Sequence, residues 1–175
     1  MTPATPRVVE VADNPLWFLG TLVHVKLDGD DTGGRFALID LTAPRHASPP
    51  LHSHPQDETF TVLDGQLTVW ILPHADAARE PDWVDHYACT CGPGSVAFAP
   101  AGTPHSFRVE SDTARMLVLS TPAGIEDYVR ALAEPAAWPW LQPPSDGPRV
   151  SAERIEAVES ELGVVRHGPP PTISA

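Results

Sequence analysis

The chain has 175 residues, 42% of them hydrophobic and 19% charged, the profile of a globular domain long enough to bury a core without disulfide staples. Its formal net charge is −12 at pH 7, with no cluster of Lys or Arg, which argues against nucleic acid and anionic membrane surfaces as partners. No run approaches the ~18 apolar residues of a membrane span.

Proline and glycine, 21 and 12 in number, cut the first two thirds into short pieces rich in Val, Leu, Phe, Trp and Thr. WFLGTLVHVKL (17–27) reads as one strand, DGDDTGG (28–34) as a turn and RFALIDLT (35–42) as a second strand, followed by the loop APRHASPP. Strand-like segments follow at 51–54, 58–63 and 66–72, and Asp64-Gly65 predicts a hairpin turn between the last two. A longer polar excursion follows over 73–86. YACTC, SVAFAP, HSFRVE and ARMLVLST complete the strands. Short strands between turn signals predict an all-β sandwich or barrel.

Past residue 122 the pattern changes. GIEDYVRALAEP (124–135) spaces Ile125, Tyr128, Val129 and Leu132 as on a helix. WPWLQPPSDGP (138–148) is a stiff connector. SAERIEAVESELGV (151–164) reads as a helix with Ser151 as N-cap and Gly163 at its end, and RHGPPPTISA reads as an irregular tail. The expected division is a barrel over 1–122 and a helical extension over 123–175. The start MTPATPRVVEVADNP lacks the apolar centre of a secretory signal, and two cysteines are too few for a disulfide framework, so a cytoplasmic location is expected.

The pattern that carries chemistry lies in LHSHPQDETFTVLDG (51–65), which sets His52, His54, Glu58 and Gly65 in order. Histidines at i and i+2 share one face of a strand. Downstream, GSVAFAPAGTPH (94–105) ends on His105. Three imidazoles and one carboxylate converging on a point suit one divalent transition metal per chain, whether Fe, Ni, Mn, Co, Cu or Zn. Left unpaired in a core, such groups would cost about 1–3 kcal/mol each. Phe60 and Val62 follow Glu58 in phase, Val96 and Phe98 precede the second segment, and Phe107 lies two residues beyond His105. With Phe36, Trp70 and Trp17 they are candidate walls for a small apolar or aromatic ligand when taken together, although for any one of them alone packing is the stronger reading. His24, His46, His74, His86 and His167 fall in sheet, loop or tail positions. Cys89 and Cys91 read as buried reduced thiols. Asp28, Asp30 and Asp31 read as a solvated turn, not a calcium loop.

The two segments resemble the two motifs of the cupin superfamily. The resemblance implies that His52, His54, Glu58 and His105 are the metal ligands of a jelly-roll β-barrel with C-terminal helices packed outside. Val109 stands where the family often has an asparagine that is not a ligand. The WFLG start, the DTGG turn, the TPAGIEDYVRALAE helix, the Leu-Gly end of the late helix and the GPPP tail are similar to single-domain cupins of the quercetin 2,3-dioxygenase type, over most of residues 15–171. The resemblance further implies a catalytic role for Glu58, which would accept a proton from a substrate hydroxyl, with dioxygen as co-substrate and a flavonol-like molecule as substrate. A non-oxidative cyclase, isomerase or decarboxylase, and a binding protein without turnover, would need the same ligands. A homodimer is expected, because single-domain cupins commonly pair and few charges protect 17–27 as an exposed edge.

Overall fold

The computed structural model describes residues 4–9, 14–136 and 150–172; the connector WPWLQPPSDGP lies outside them. The segment 17–27 is not one strand. Leu19 and Gly20, with φ of 48° and 88°, turn the chain between β1 (Leu16–Phe18) and β2 (Thr21–Leu27). The expected turn after it is a single helical turn, α1 (Gly29–Thr32), capped reciprocally by Asp28 and Asp31. Those carboxylates are spent on backbone N–H groups and on Arg7 and Arg130.

Strands β3 (Ala37–Pro44), β4 (Leu51–Ser53), β5 (Asp57–Asp64) and β6 (Leu67–Ile71) follow. The segment 73–86 folds into a 3-10 turn (Ala75–Arg79) and α2 (Trp83–His86). Next come β7 (Ala88–Cys91), β8 (Val96–Ala99), β9 (His105–Val109) and β10 (Thr113–Thr121). The chain closes with α3 (Ile125–Leu132), β11 (Ala133–Pro135), α4 (Ala152–Leu162) and β12 (Val165–Gly168).

All pairings are antiparallel, in a seven-stranded sheet ordered β11-β1-β2-β3-β10-β5-β8 and a five-stranded sheet ordered β12-β4-β9-β6-β7. Two expectations change here. Asp64-Gly65 is not a hairpin turn: β5 pairs with β10 and β8, whereas β6 pairs with β9 and β7, so the chain crosses from one sheet to the other at this point. Gly65 is required there, because its φ is 79° and a Cβ would collide with the Thr113 carbonyl oxygen and Ala114 Cα. The sheets also face each other as a jelly-roll sandwich without a ladder joining them among the described residues, so the barrel is not closed by hydrogen bonds.

The tail is not irregular throughout: residues 166–168 belong to β12, whereas 169–172 lie outside any helix or strand. β12 pairs with β4, and β11 covers β1, so 17–27 is not an edge. Extended segments at the C-terminal end satisfy ladders that would otherwise be bare. α3 contributes Ile125 and Val129 to the core between the sheets, and α4 is tied to α3 by Glu159, which accepts from Tyr128 and Arg166.

Alternation along the strands sorts residues between two clusters. Facing inward, Val23, Ile39, Val62, Leu67, Val69 and Met116 build the main core. On the back of the smaller sheet, Leu51, Trp70 and Leu72 form a second cluster with Ala77, beneath Trp83, Val84 and Tyr87. Trp70 Nε1 donates to the Val84 carbonyl at 2.6 Å. Segment 73–86 therefore packs on the back of that sheet. No helix of the described residues is long and apolar enough to cross a membrane.

Candidate metal centre

The site forms where the two sheets meet at one end of the sandwich. β4 delivers His52 and β9 delivers His105, paired directly across the ladder. His54 follows β4, and its carbonyl accepts from Gly102 N at 2.8 Å. Asp57 Oδ1 accepts from Ala101 N at 2.7 Å. These two bonds fasten the PAG turn before His105 to the bend that leads into β5. Glu58 comes from β5, on the opposite sheet, with its side chain facing inward beside Phe60 and Val62. The four predicted ligands are thus brought together.

Ring nitrogens of His52, His54 and His105 lie within 4.8 Å of one another. His52 Nδ1 lies 2.8 Å from Pro50 O, and His105 Nδ1 lies 2.8 Å from Thr103 O. A carbonyl can only accept, so each Nδ1 carries the hydrogen and Nε2 is left for the centre. Glu58 Oε2 sits 3.0 Å from His105 Nε2 and 3.3 Å from His54 Nε2. No described residue donates to Glu58 Oε1. His54 Nδ1 is buried without a partner.

Electrostatics follow from that geometry. Burial alone would raise the Glu58 carboxyl, but hydrogen bonds from His105 and His54 outweigh it and hold it well below the usual carboxylate range. Burial would lower His105, yet the Glu58 bond wins and raises it. With hydrogens on both ring nitrogens, His105 is an imidazolium facing a carboxylate. Burial and then the neighbouring His105 push His52 down to about 4, so it is neutral. The donor set fits a divalent transition metal: imidazoles of which His52 and His105 are oriented by backbone carbonyls and which ligate once Nε2 is free of its proton, one carboxylate, and a small charge-compensated cluster inside an otherwise apolar interior.

Of the expected walls, Phe60 lies with its ring centroid 5.9 Å from that of His105 and 6.1 Å from that of Phe107. Phe107 and Val62 are buried beside it. Phe98 and Val96 do not face the interior. They are 54% and 62% exposed, because β8 turns Ala97 and Ala99 inward and pairs Phe98 with the outward Thr59. Trp70 belongs to the second cluster, one residue out of phase with inward Val69. Phe36 is half-buried just before β3, where its carbonyl accepts from Thr32 Oγ1 at 2.6 Å. Cys91 is buried, but Cys89 is exposed. His167 bonds Ser53 at 2.8 Å on the back of β4, and His74 caps the 3-10 turn.

Sequence reasoning missed Ser120. It lies directly opposite Glu58 across the β10–β5 ladder, is fully buried, and its Oγ has no partner. The available signal was phase, since Ala114, Met116, Val118 and Ser120 share one face of β10 and only the last is polar.

An antiparallel jelly roll with three histidines and a glutamate gathered at one end defines a class, and comparison with known proteins agrees with it. No family model matches the chain. An RmlC-like cupin from Shewanella frigidimarina NCIMB 400 is similar with a TM-score of 0.55 at 13% identity, covering 71% of this chain and 97% of that one. Oxalate decarboxylase from Bacillus subtilis is similar with a TM-score of 0.53 at 16% identity, over 70% of this chain and 31% of that one. In sequence, 134 residues, 75% of this chain, are 27% identical to a quercetin 2,3-dioxygenase of Bacillus subtilis (strain 168). The chain spans about a third (36%) of that relative's length. The fold is the cupin jelly roll, and the comparisons support a cupin superfamily protein.

Proposed function

We propose that the protein is a metal-dependent dioxygenase of an aromatic or enol-bearing small molecule, of the flavonol class. The observation that supports this most is the convergence of His52, His54, His105 and Glu58 from two sheets onto one point at the end of an apolar interior. A divalent transition metal held there (Fe, Ni, Mn, Co, Cu or Zn) would supply Lewis acidity and bring substrate and dioxygen together. His52 and His105 hold their orientation through Pro50 and Thr103. Glu58 is ionised at neutral pH and would accept a proton from a substrate hydroxyl. Phe60, Val62 and Phe107 are the apolar surface against which an aromatic ring would lie.

Oxygen uptake by metal-loaded protein mixed with a flavonol tests the reading. We expect uptake with at least one of Fe, Ni, Mn and Co, and a fall in kcat of about 10²–10⁴-fold in Glu58→Gln with ligand binding retained. No uptake with any of these metals would overturn it. Turnover under strict anaerobiosis would instead select a non-oxidative cyclase, isomerase or decarboxylase, and recovery of unaltered ligand would select a binding protein.

The same reading includes a cytoplasmic homodimer. On the outer face of the seven-stranded sheet, Leu63, Val96 and Phe98 are 40%, 62% and 54% exposed. On a chain of net charge −12, two copies repel least where acids are neutralised, and on this face Arg115 pairs with buried Asp40 at 2.7 Å. Phe98→Glu should convert dimer to monomer in sedimentation velocity.

A further inference from the structure

Resting on the metal-site reading above, we infer that Ser120 is the residue that holds Glu58 in place once the site is loaded. It is a positioning residue, acting through Glu58 and not on substrate. Three observations lead to it. Ser120 is 0% exposed and its Oγ has no hydrogen-bond partner. Native structures rarely leave a buried hydroxyl unsatisfied without a use for it. Ser120 is also the register partner of Glu58, on the same inward face, where directly opposed side chains have Cβ atoms about 4.5–5.5 Å apart. The rest of that row consists of Ala37 beyond Ser120 and Ala99 beyond Glu58, each 0% exposed, so no other side chain in it can donate.

The third observation concerns what Glu58 loses on loading. In the structure its carboxylate is satisfied by two imidazoles, both on Oε2. An imidazole that ligates through Nε2 no longer carries a hydrogen there. Metal binding through these nitrogens therefore strips Glu58 of both donors. The carboxylate then needs one fixed donor to keep its second oxygen from swinging away. The hydroxyl directly across the ladder is placed to supply it, donating to the oxygen that the imidazoles leave alone.

The test compares wild type, Ser120→Ala and Ser120→Thr by titrating purified metal-free protein with Mn, Co or Ni, and by thermal melting of the metal-free forms. Outer-shell partners of metal ligands are typically worth 10–100-fold in affinity. We expect Ser120→Ala to bind metal about 10–100-fold more weakly, while its metal-free melting temperature equals or exceeds that of wild type, because it removes an unsatisfied hydroxyl. Ser120→Thr keeps the donor and should recover most of the affinity. Unchanged affinity in Ser120→Ala, with wild type binding metal, overturns this inference alone. A lower metal-free melting temperature in Ser120→Ala would mean the hydroxyl is already partnered, and also overturns it. Failure of wild type to bind any of the three metals overturns the metal-site reading, and this inference with it.

Discussion

Along β5 and β10 the interior changes character within three residue pairs. Val62 faces Met116 and Phe60 faces Val118, all in the apolar core; the next pair is Glu58 facing Ser120. β9 runs the same course, from Val109 and Phe107 in the core to His105 at the site. One end of the sandwich is held by dispersion and the hydrophobic effect. The other holds an imidazolium, a carboxylate and unsatisfied polar atoms in equal enclosure. The apolar end makes the polar end tolerable: it supplies the stability from which the cost of burying Glu58, His54 and Ser120 is met. If that division of labour is right, damage at one end should leave the other intact.

The largest effect should come from Met116→Ala, since Met116 is fully buried in the apolar half. It should lose about 2–5 kcal/mol in urea unfolding, with metal affinity in the folded protein within a few-fold of wild type. A matching drop in affinity would break the comparison. His105→Ala strikes the other end. It should weaken metal binding by more than about a hundredfold, beyond the range of outer-shell partners and equal to about 2.7 kcal/mol, with near-native circular dichroism.

Proton linkage sharpens the contrast. His105 is raised by its bond to Glu58, so below its pKa an incoming metal must displace a proton. Metal affinity should therefore climb about tenfold per pH unit below that pKa and level off above it, as read by calorimetry across pH. In the metal-free protein the raised His105 stabilises fully below the ordinary histidine value and loses that contribution as pH rises through its folded pKa. His52, lowered from 6.5 to about 4, acts oppositely: its contribution is present above 6.5 and fades as pH falls towards 4. The smallest effect is expected from Trp70→Phe, which removes the bond to Val84 behind the smaller sheet. It should cost about 1 kcal/mol in thermal melts and leave metal affinity unchanged.

Much of this could be read in the chain. The spacing of His52, His54 and Glu58, with His105 downstream, marked the side chains that converge, because groups that must meet at one point impose fixed offsets on short strands. The helices at 125–132 and 152–162 were legible from apolar spacing and from the Ser151 and Gly163 caps. Strand partners were not legible. Asp64-Gly65 has the composition of a hairpin turn, yet it carries the chain between sheets, since local turn chemistry does not say which ladder the next strand will join. Phe98 and Trp70 failed as site residues for a related reason. Each lies in a strand with apolar residues on both faces, so hydrophobicity could not tell inward from outward.

By itself the sequence determined which donors exist and that they come in a metal-binding pattern, because ligand chemistry is a property of side-chain type and spacing. Only the tertiary structure decided that Glu58 faces Ser120, that β12 closes against β4, and that one end of the sandwich is polar. Those facts depend on register between strands far apart in the chain, and register is set by the mutual fit of both sheets, which no single segment encodes.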